Sequence, residues 1–246
     1  MNVEKKAEII KNWIRDYCKN TSFSPKSLIV GISGGIDSSV VSTLCALTDM
    51  KTIVLSMPIK QIQAQHDLSL KHGEWLKSKF NNVDLKIIEM EKIFISFKDV
   101  LSDFDSEHGL ANSRARLRMS VLYQVAASNA GIVVGTGNKV EDFGVGFYTK
   151  YGDGGVDISP IADCNKSDVW QLGEHLGVLK EIIDAKPTDG LWNDGRNDED
   201  QLGMTYVELE KAMTNTNDPN YKKYLEIRKK NLHKMNPIPV CKLDDV

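Results

Sequence analysis

Along the chain, short unbroken apolar runs alternate with longer stretches in which apolar residues return every three or four positions. Leu28–Ile32, Thr52–Met57 and Ile132–Gly135 are runs of the first kind, and Val83–Met90 shows partial alternation. Their length and β-branched content predict strands, and an uninterrupted apolar run suits a parallel strand covered on both faces. Helices are predicted over Val3–Lys19, Gln61–Phe80, Ile93–Phe104, Asn112–Ala130, Lys166–Leu176, Tyr206–Asn215 and Tyr221–Met235, the last stopped by Pro237. On the first of these, Ile9, Ile10, Trp13, Ile14 and Tyr17 are expected on one core-facing side. Strands alternating with helices imply βαβ units. The expected fold class is α/β, a doubly wound, mostly parallel sheet with helices on both faces. It forms one domain over residues 1–246 with a ligand-facing appendage. Pro187–Gly203, with Asp194, Asp198, Glu199 and Asp200, predicts an exposed acidic loop that orders on ligand binding.

The junction between the first strand and its helix reads Gly31-Ile32-Ser33-Gly34-Gly35-Ile36-Asp37-Ser38. A glycine turn opening a helix presents backbone N–H groups and the positive end of the macrodipole to an anion. Ser33, Ser38 and Ser39 add hydroxyl donors, and Asp37 sets a carboxylate where magnesium could bridge it to phosphate. The spacing fits neither the Walker loop nor the dinucleotide fingerprint. It resembles the Ser-Gly-Gly-x-Asp-Ser pyrophosphate loop of the ATP pyrophosphatase superfamily, whose members attack ATP at its α-phosphate. The fourth predicted strand ends at Gly135-Thr136-Gly137-Asn138, so the two strand ends are expected to face one another across one site.

Composition narrows the partners. The formal charge of −3 gives no electrostatic reason to expect nucleic acid. The charged first twenty residues carry no signal-peptide core, and no apolar run is long enough for a bilayer. Cys18, Cys45, Cys164 and Cys241 form no Cys-x-x-Cys pair, and the five histidines lack metal-ligand spacing. A cytoplasmic protein without membrane, nucleic-acid partner or transition metal is expected.

A second glycine cluster, Thr149-Lys150-Tyr151-Gly152-Asp153-Gly154-Gly155, reads on composition alone as a surface turn. Together with Ala115-Arg116-Leu117-Arg118, Gly135-Thr136 followed by Glu141, Pro187-Thr188 and His233-Lys234, in that order, it resembles the ammonia-dependent NAD synthetases over most of the chain. The resemblance implies that Gly31, Ile32, Ser33, Gly34, Gly35, Ile36, Asp37, Ser38, Thr136, Lys166 and Thr188 bind ATP. It implies that Asp37 and Glu141 bind Mg2+, and that Asp37 and Lys166 are the catalytic groups. Arg116, Lys150, Asp157, His233 and Lys234 would contact deamido-NAD. It also implies a homodimer acting on ATP, deamido-NAD and ammonia. At 246 residues there is no room for an amidohydrolase domain, so free ammonia is expected unless a separate glutaminase supplies it.

Two positions depart from the family pattern. Between Glu141 and Lys150 the chain is one residue longer than the commonest spacing, and Asn138-Lys139 stands where Asp-His is often found. The rival readings are another amidating or tRNA-modifying ATP pyrophosphatase and a non-catalytic adenine-nucleotide sensor on the same fold.

Overall fold

The structure, a computed structural model, describes residues 1–188 and 197–243. It opens with α1 (Val3–Asn20), followed by β1 (Ser27–Gly31), α2 (Ile36–Ala46), β2 (Lys51–Ser56), α3 (Gln63–Lys79) and β3 (Val83–Ile87). Two further helices, α4 (Glu91–Val100) and α5 (Glu107–Ser128), then lead to β4 (Gly131–Val133). All pairings are parallel and the strand order is β3-β2-β1-β4. From β1 the chain winds outward through β2 to β3, and then α4 and α5 return it to β1's other edge. That reversal between β1 and β4 opens a crevice beyond their carboxyl ends, the usual ligand position in such sheets.

The unbroken apolar runs follow from burial on two sides. Leu28, Val30, Val54 and Ile132 pack with α1, α2 and α6 (Lys166–His175), whereas Ile29, Ile53, Leu55 and Val133 pack with Phe94 of α4 and Ala126 of α5. Successive strand residues point to opposite faces, so both faces must be apolar. The doubly wound α/β fold read from the sequence is the one observed. After the short α7 (Lys180–Ile183), the elements α8 (Asp198–Leu202), α9 (Tyr206–Thr214) and α10 (Tyr221–Met235) pack on a π-helical turn, Lys139–Val145. Their shared cluster includes Val140, Val145, Leu202, Leu209 and Tyr224.

Several expectations need correction. On α1 the core-facing residues are Ala7, Ile10, Ile14 and Cys18, while Ile9, Trp13 and Tyr17 are 46%, 45% and 40% exposed. The apolar arc of this helix is wider than the surface it packs against. β3 stops at Ile87 rather than Met90, because the chain bends there and the Met90 N–H donates to Pro58 O as α4 begins. α5 starts at Glu107, since Ser106 Oγ accepts from the Gly109 N–H and caps it. Within the predicted acidic loop, Asp198–Leu202 is a helix closed by an Asn197/Asp200 capping box, and Asp198 is buried. Asp194 lies outside the described residues.

Candidate active site

The turn after β1 is shaped by its own backbone. Gly34 has φ +87°, and a Cβ there would lie 2.5 Å from Gln65 O and 3.0 Å from Ser69 N at the start of α3. Only glycine fits this left-handed, close-packed position without strain. Gly35 caps α2 with no side-chain hydrogen bond, which leaves first-turn N–H groups available to an anion. The Gly35 N–H donates to Ser33 Oγ at 3.2 Å, and Ser38 Oγ donates to Gly35 O at 3.1 Å. Ser39 is a correction: it is fully buried and its hydroxyl donates to Gly35 O at 2.9 Å, so it serves the turn and not a ligand.

At the centre of the crevice, Lys166 Nζ bridges Asp37 Oδ2 at 2.5 Å and Glu141 Oε1 at 2.9 Å. Lys166 opens α6 and is only 1% exposed. Burial would pull its ammonium down, but the two carboxylates outweigh that and hold it above the ordinary lysine range. Glu141 is pushed up by burial and pulled down by Lys166 and the Tyr206 hydroxyl, and the net direction is down. Asp37 goes the other way: burial, helped by repulsion from Glu141, outweighs Lys166 and raises it. Nearby Asp142 is raised well above its ordinary value, by burial first and then by the charges of Asp153, Glu141 and Asp37. Its carboxylate packs against Gly137, where a Cβ would lie 1.9 Å from Oδ2.

Asn138, fully buried, joins the two carboxylate-bearing segments. Its Oδ1 accepts from the Val140 and Glu141 N–H groups at 3.0 Å each, and its Nδ2 donates to Asp37 Oδ1 at 2.9 Å. Lys139–Val145 is a π-helical turn, and from within it Glu141 meets Lys166.

A single cavity is lined by every residue of the expected ATP set, Gly31 through Ser38 with Thr136, Lys166 and Thr188, and also by Glu141. None of Arg116, Lys150, Asp157, His233 and Lys234 lines it. Lys150 Nζ donates to His233 O at 2.8 Å, and Lys234 Nζ to Gly146 O and Tyr148 O at 2.8 and 2.9 Å. Arg116 is exposed and its Nε donates to Lys150 O at 3.3 Å. Asp157 accepts from the Val133 N–H at 2.7 Å and from Tyr123 OH at 3.1 Å, which ties it to β4.

A family model described as NAD synthase matches residues 6–242. The chain belongs to the NAD synthase family. Among its relatives, the NH(3)-dependent NAD(+) synthetase of Archaeoglobus fulgidus is 34% identical, with 100% of each chain covered. That of Alkaliphilus metalliredigens is 38% identical over 84% of each. Two solved structures are also similar. An NMN synthetase from Francisella tularensis superposes with TM-score 0.91 at 29% identity, covering 99% of this chain and 100% of that one. An NH3-dependent NAD synthetase from Campylobacter jejuni does so with TM-score 0.79 at 27% identity, covering 98% and 100%.

Arg118, Asp142, Asp153 and Asp198 also line the cavity, although the sequence reading gave none of them a binding role. Arg118 Nε donates to Met57 O at 2.9 Å, and burial, with Arg114 adding to it, lowers this guanidinium to about 10. Helical spacing could have separated it from Arg116, because two positions along a helix turn a side chain to another face. Asn138 carried a readable signal too, as a cap residue placed just before a helical segment.

Proposed function

We propose that this chain converts the nicotinate of deamido-NAD to the amide of NAD, using ATP and ammonia. The carrying observation is the convergence of eleven ATP-set residues and Glu141 on one cavity, with Lys166 held between Asp37 and Glu141. In the first step a nicotinate oxygen attacks the α-phosphorus, the bond to pyrophosphate breaks, and an acyl adenylate forms. In the second, the ammonia lone pair attacks the acyl carbon, nitrogen loses a proton, and the carbon–oxygen bond breaks to release AMP. Adenylation supplies the leaving group, so the residues mainly position substrates and neutralise charge. The N-terminus of α2 and its glycine turn hold phosphate oxygens, and Lys166 offsets their charge as the α-phosphorus is attacked. Thr136 and Thr188 border the same cavity as further polar contacts to ATP.

Asp37 and Glu141 fit Mg2+. Both are hard oxygen donors that line the same cavity as the phosphate-binding turn. Among the described residues no group of three or more His, Cys, Asp and Glu could hold a metal. The remaining ligands would therefore come from water and phosphate, as magnesium prefers. Bound there, the ion would supply Lewis-acid polarisation of the phosphate oxygens.

The outer set, Arg116, Lys150, Asp157, His233 and Lys234, belongs in this reading to the second substrate, bordered by a partner copy in a homodimer. A cytoplasmic setting is supported by the free thiols Cys18, Cys45 and Cys164, all buried. Among the described residues no helix is long and apolar enough to cross a membrane.

One observation favours a second reading. The TM-score of 0.91 with a protein named NMN synthetase exceeds the 0.79 with the Campylobacter NAD synthetase, and the outer set does not line the cavity. A mononucleotide acceptor would need fewer of those outer contacts. Exchange of labelled pyrophosphate into ATP tests both readings. Exchange driven by deamido-NAD supports the first, exchange driven only by nicotinic acid mononucleotide supports the second, and none with either acceptor refutes the ligase. In Asp37→Asn, exchange is expected to fall at least about 100-fold if Asp37 serves the metal.

A further inference from the structure

Tyr206 backs the nucleotide site, meeting Glu141 from outside the sequence motifs named above. It is the first residue of α9, and it is 2% exposed although it carries a phenol. Its hydroxyl donates to Glu141 Oε1 at 2.5 Å and lies 3.2 Å from Asp198 Oδ2. Its ring lies 4.9 Å from Lys166 Nζ, and Trp170 of α6 packs against it edge-on at 5.9 Å. Its backbone N–H donates to Glu199 Oε1 at 2.9 Å, and the Thr205/Glu208 capping box fixes the helix start.

These contacts give one side chain several holds on the site. A phenol has one proton, and the shorter bond assigns it to Glu141. The Lys166 and Tyr206 bonds land on the same Glu141 oxygen, so together they set that carboxylate's rotation. The ring beside Lys166 keeps water from that side of the ammonium and favours its charge. The Tyr206 backbone N–H, on Glu199, separately fastens the start of α9 to α8, which borders the cavity at Asp198.

We propose that Tyr206 is a positioning residue for the ATP–metal site, its hydroxyl holding Glu141 in register with Lys166. The proposal rests on the assignment of Glu141 as a metal ligand. Groups that orient a ligand in this way typically change metal affinity by about 10- to 100-fold when removed.

The test titrates Mn2+ onto the full chain with a non-hydrolysable ATP analogue, read by electron paramagnetic resonance. Tyr206→Phe is expected to weaken Mn2+ by about 10-fold or more. Tyr224→Phe, which alters a buried tyrosine of the same apolar cluster, is expected to match the wild type. Glu141→Gln separates the two ideas. If it weakens Mn2+ while Tyr206→Phe does not, the tyrosine proposal fails and the metal assignment stands. If Glu141→Gln leaves Mn2+ unchanged, the assignment falls and takes the proposal with it. Equal losses in Tyr206→Phe and Tyr224→Phe would overturn the proposal as a general packing effect. Should Tyr206→Phe not fold, 3-fluorotyrosine at position 206 keeps the hydroxyl. Its 19F resonance must then shift when Mg2+ joins the nucleotide complex, and an unmoved resonance overturns the proposal.

Discussion

Residues 31–38 and 147–157 are both glycine-bearing stretches next to the crevice, yet they are built for different work. In the first, one strand-to-helix junction supplies almost everything: a left-handed Gly34, an uncapped α2 and short serine contacts. In the second, the Thr149 N–H donates to Asp153 Oδ1 at 2.9 Å and Thr149 Oγ1 donates to Asn112 Oδ1 at 2.7 Å. Its Lys150 then reaches outward to α10. A backbone anion site needs only adjacent residues, so it is complete within one βα unit. A side-chain site draws on distant segments and depends on whatever packs beside them.

The contrast can be broken most sharply at Gly34. Gly34→Ala places a methyl group against backbone atoms at a positive φ, and ATP affinity is expected to fall about 100-fold or more by calorimetry. An alanine variant that still binds ATP normally would mean the turn does not hold the phosphates.

The next effect concerns support beneath the turn. His72 is buried, with Nε2 2.9 Å from Ser42 Oγ, and Ser42 in turn donates to Ser38 O at 2.7 Å. Burial lowers this histidine to about 4 from its ordinary 6.5. The unfolded chain therefore binds the proton first as pH falls. The contribution is intact above about 6.5 and is lost progressively down to about 4, up to roughly 3 kcal/mol in all. Chemical denaturation at pH 7 and pH 5 should show wild type losing more stability than His72→Gln, and equal losses would exclude His72 as the cause.

On the other side of the comparison, Lys150→Ala is expected to raise the KM for the pyridine nucleotide about 10-fold, as the loss of one charged contact does. KM for ATP should stay unchanged. A change in the ATP value alone would place Lys150 with the first region. The smallest effect is on α1. Trp13→Ala, at a position 45% exposed, should change stability by no more than about 0.5 kcal/mol, and a larger loss in thermal melts would mean Trp13 is covered in solution.

Legibility in the sequence followed the same division. β1, β2, β4 and α10 were readable because two-sided burial and a proline stop leave plain patterns, as in Leu28–Ile32 and Tyr221–Met235, whereas β3, mostly uncovered at the sheet edge, was read past its end. The turn after β1 was readable because its chemistry is local. The outward face of α1 was not, since periodicity shows which residues share a side but not how much of that side a neighbour covers. Asp198 looked like solvated acid in a polar segment, yet it is buried beside Tyr206, a contact across eight residues that no spacing rule encodes. Asn138 was set aside for differing from the family pattern, and it turned out to join Asp37 to the Glu141 segment.

The widened coil at Lys139–Val145 has a bearing on how such a chain can change over generations. In an ordinary α-helix an inserted residue would swing everything after it by about 100° about the axis. Here the coil is wider, and the Gly146 N–H reaches back five positions to Glu141 O. A spiral of that breadth holds about one residue more per turn than an α-helix, which is the geometric room a lengthened segment needs.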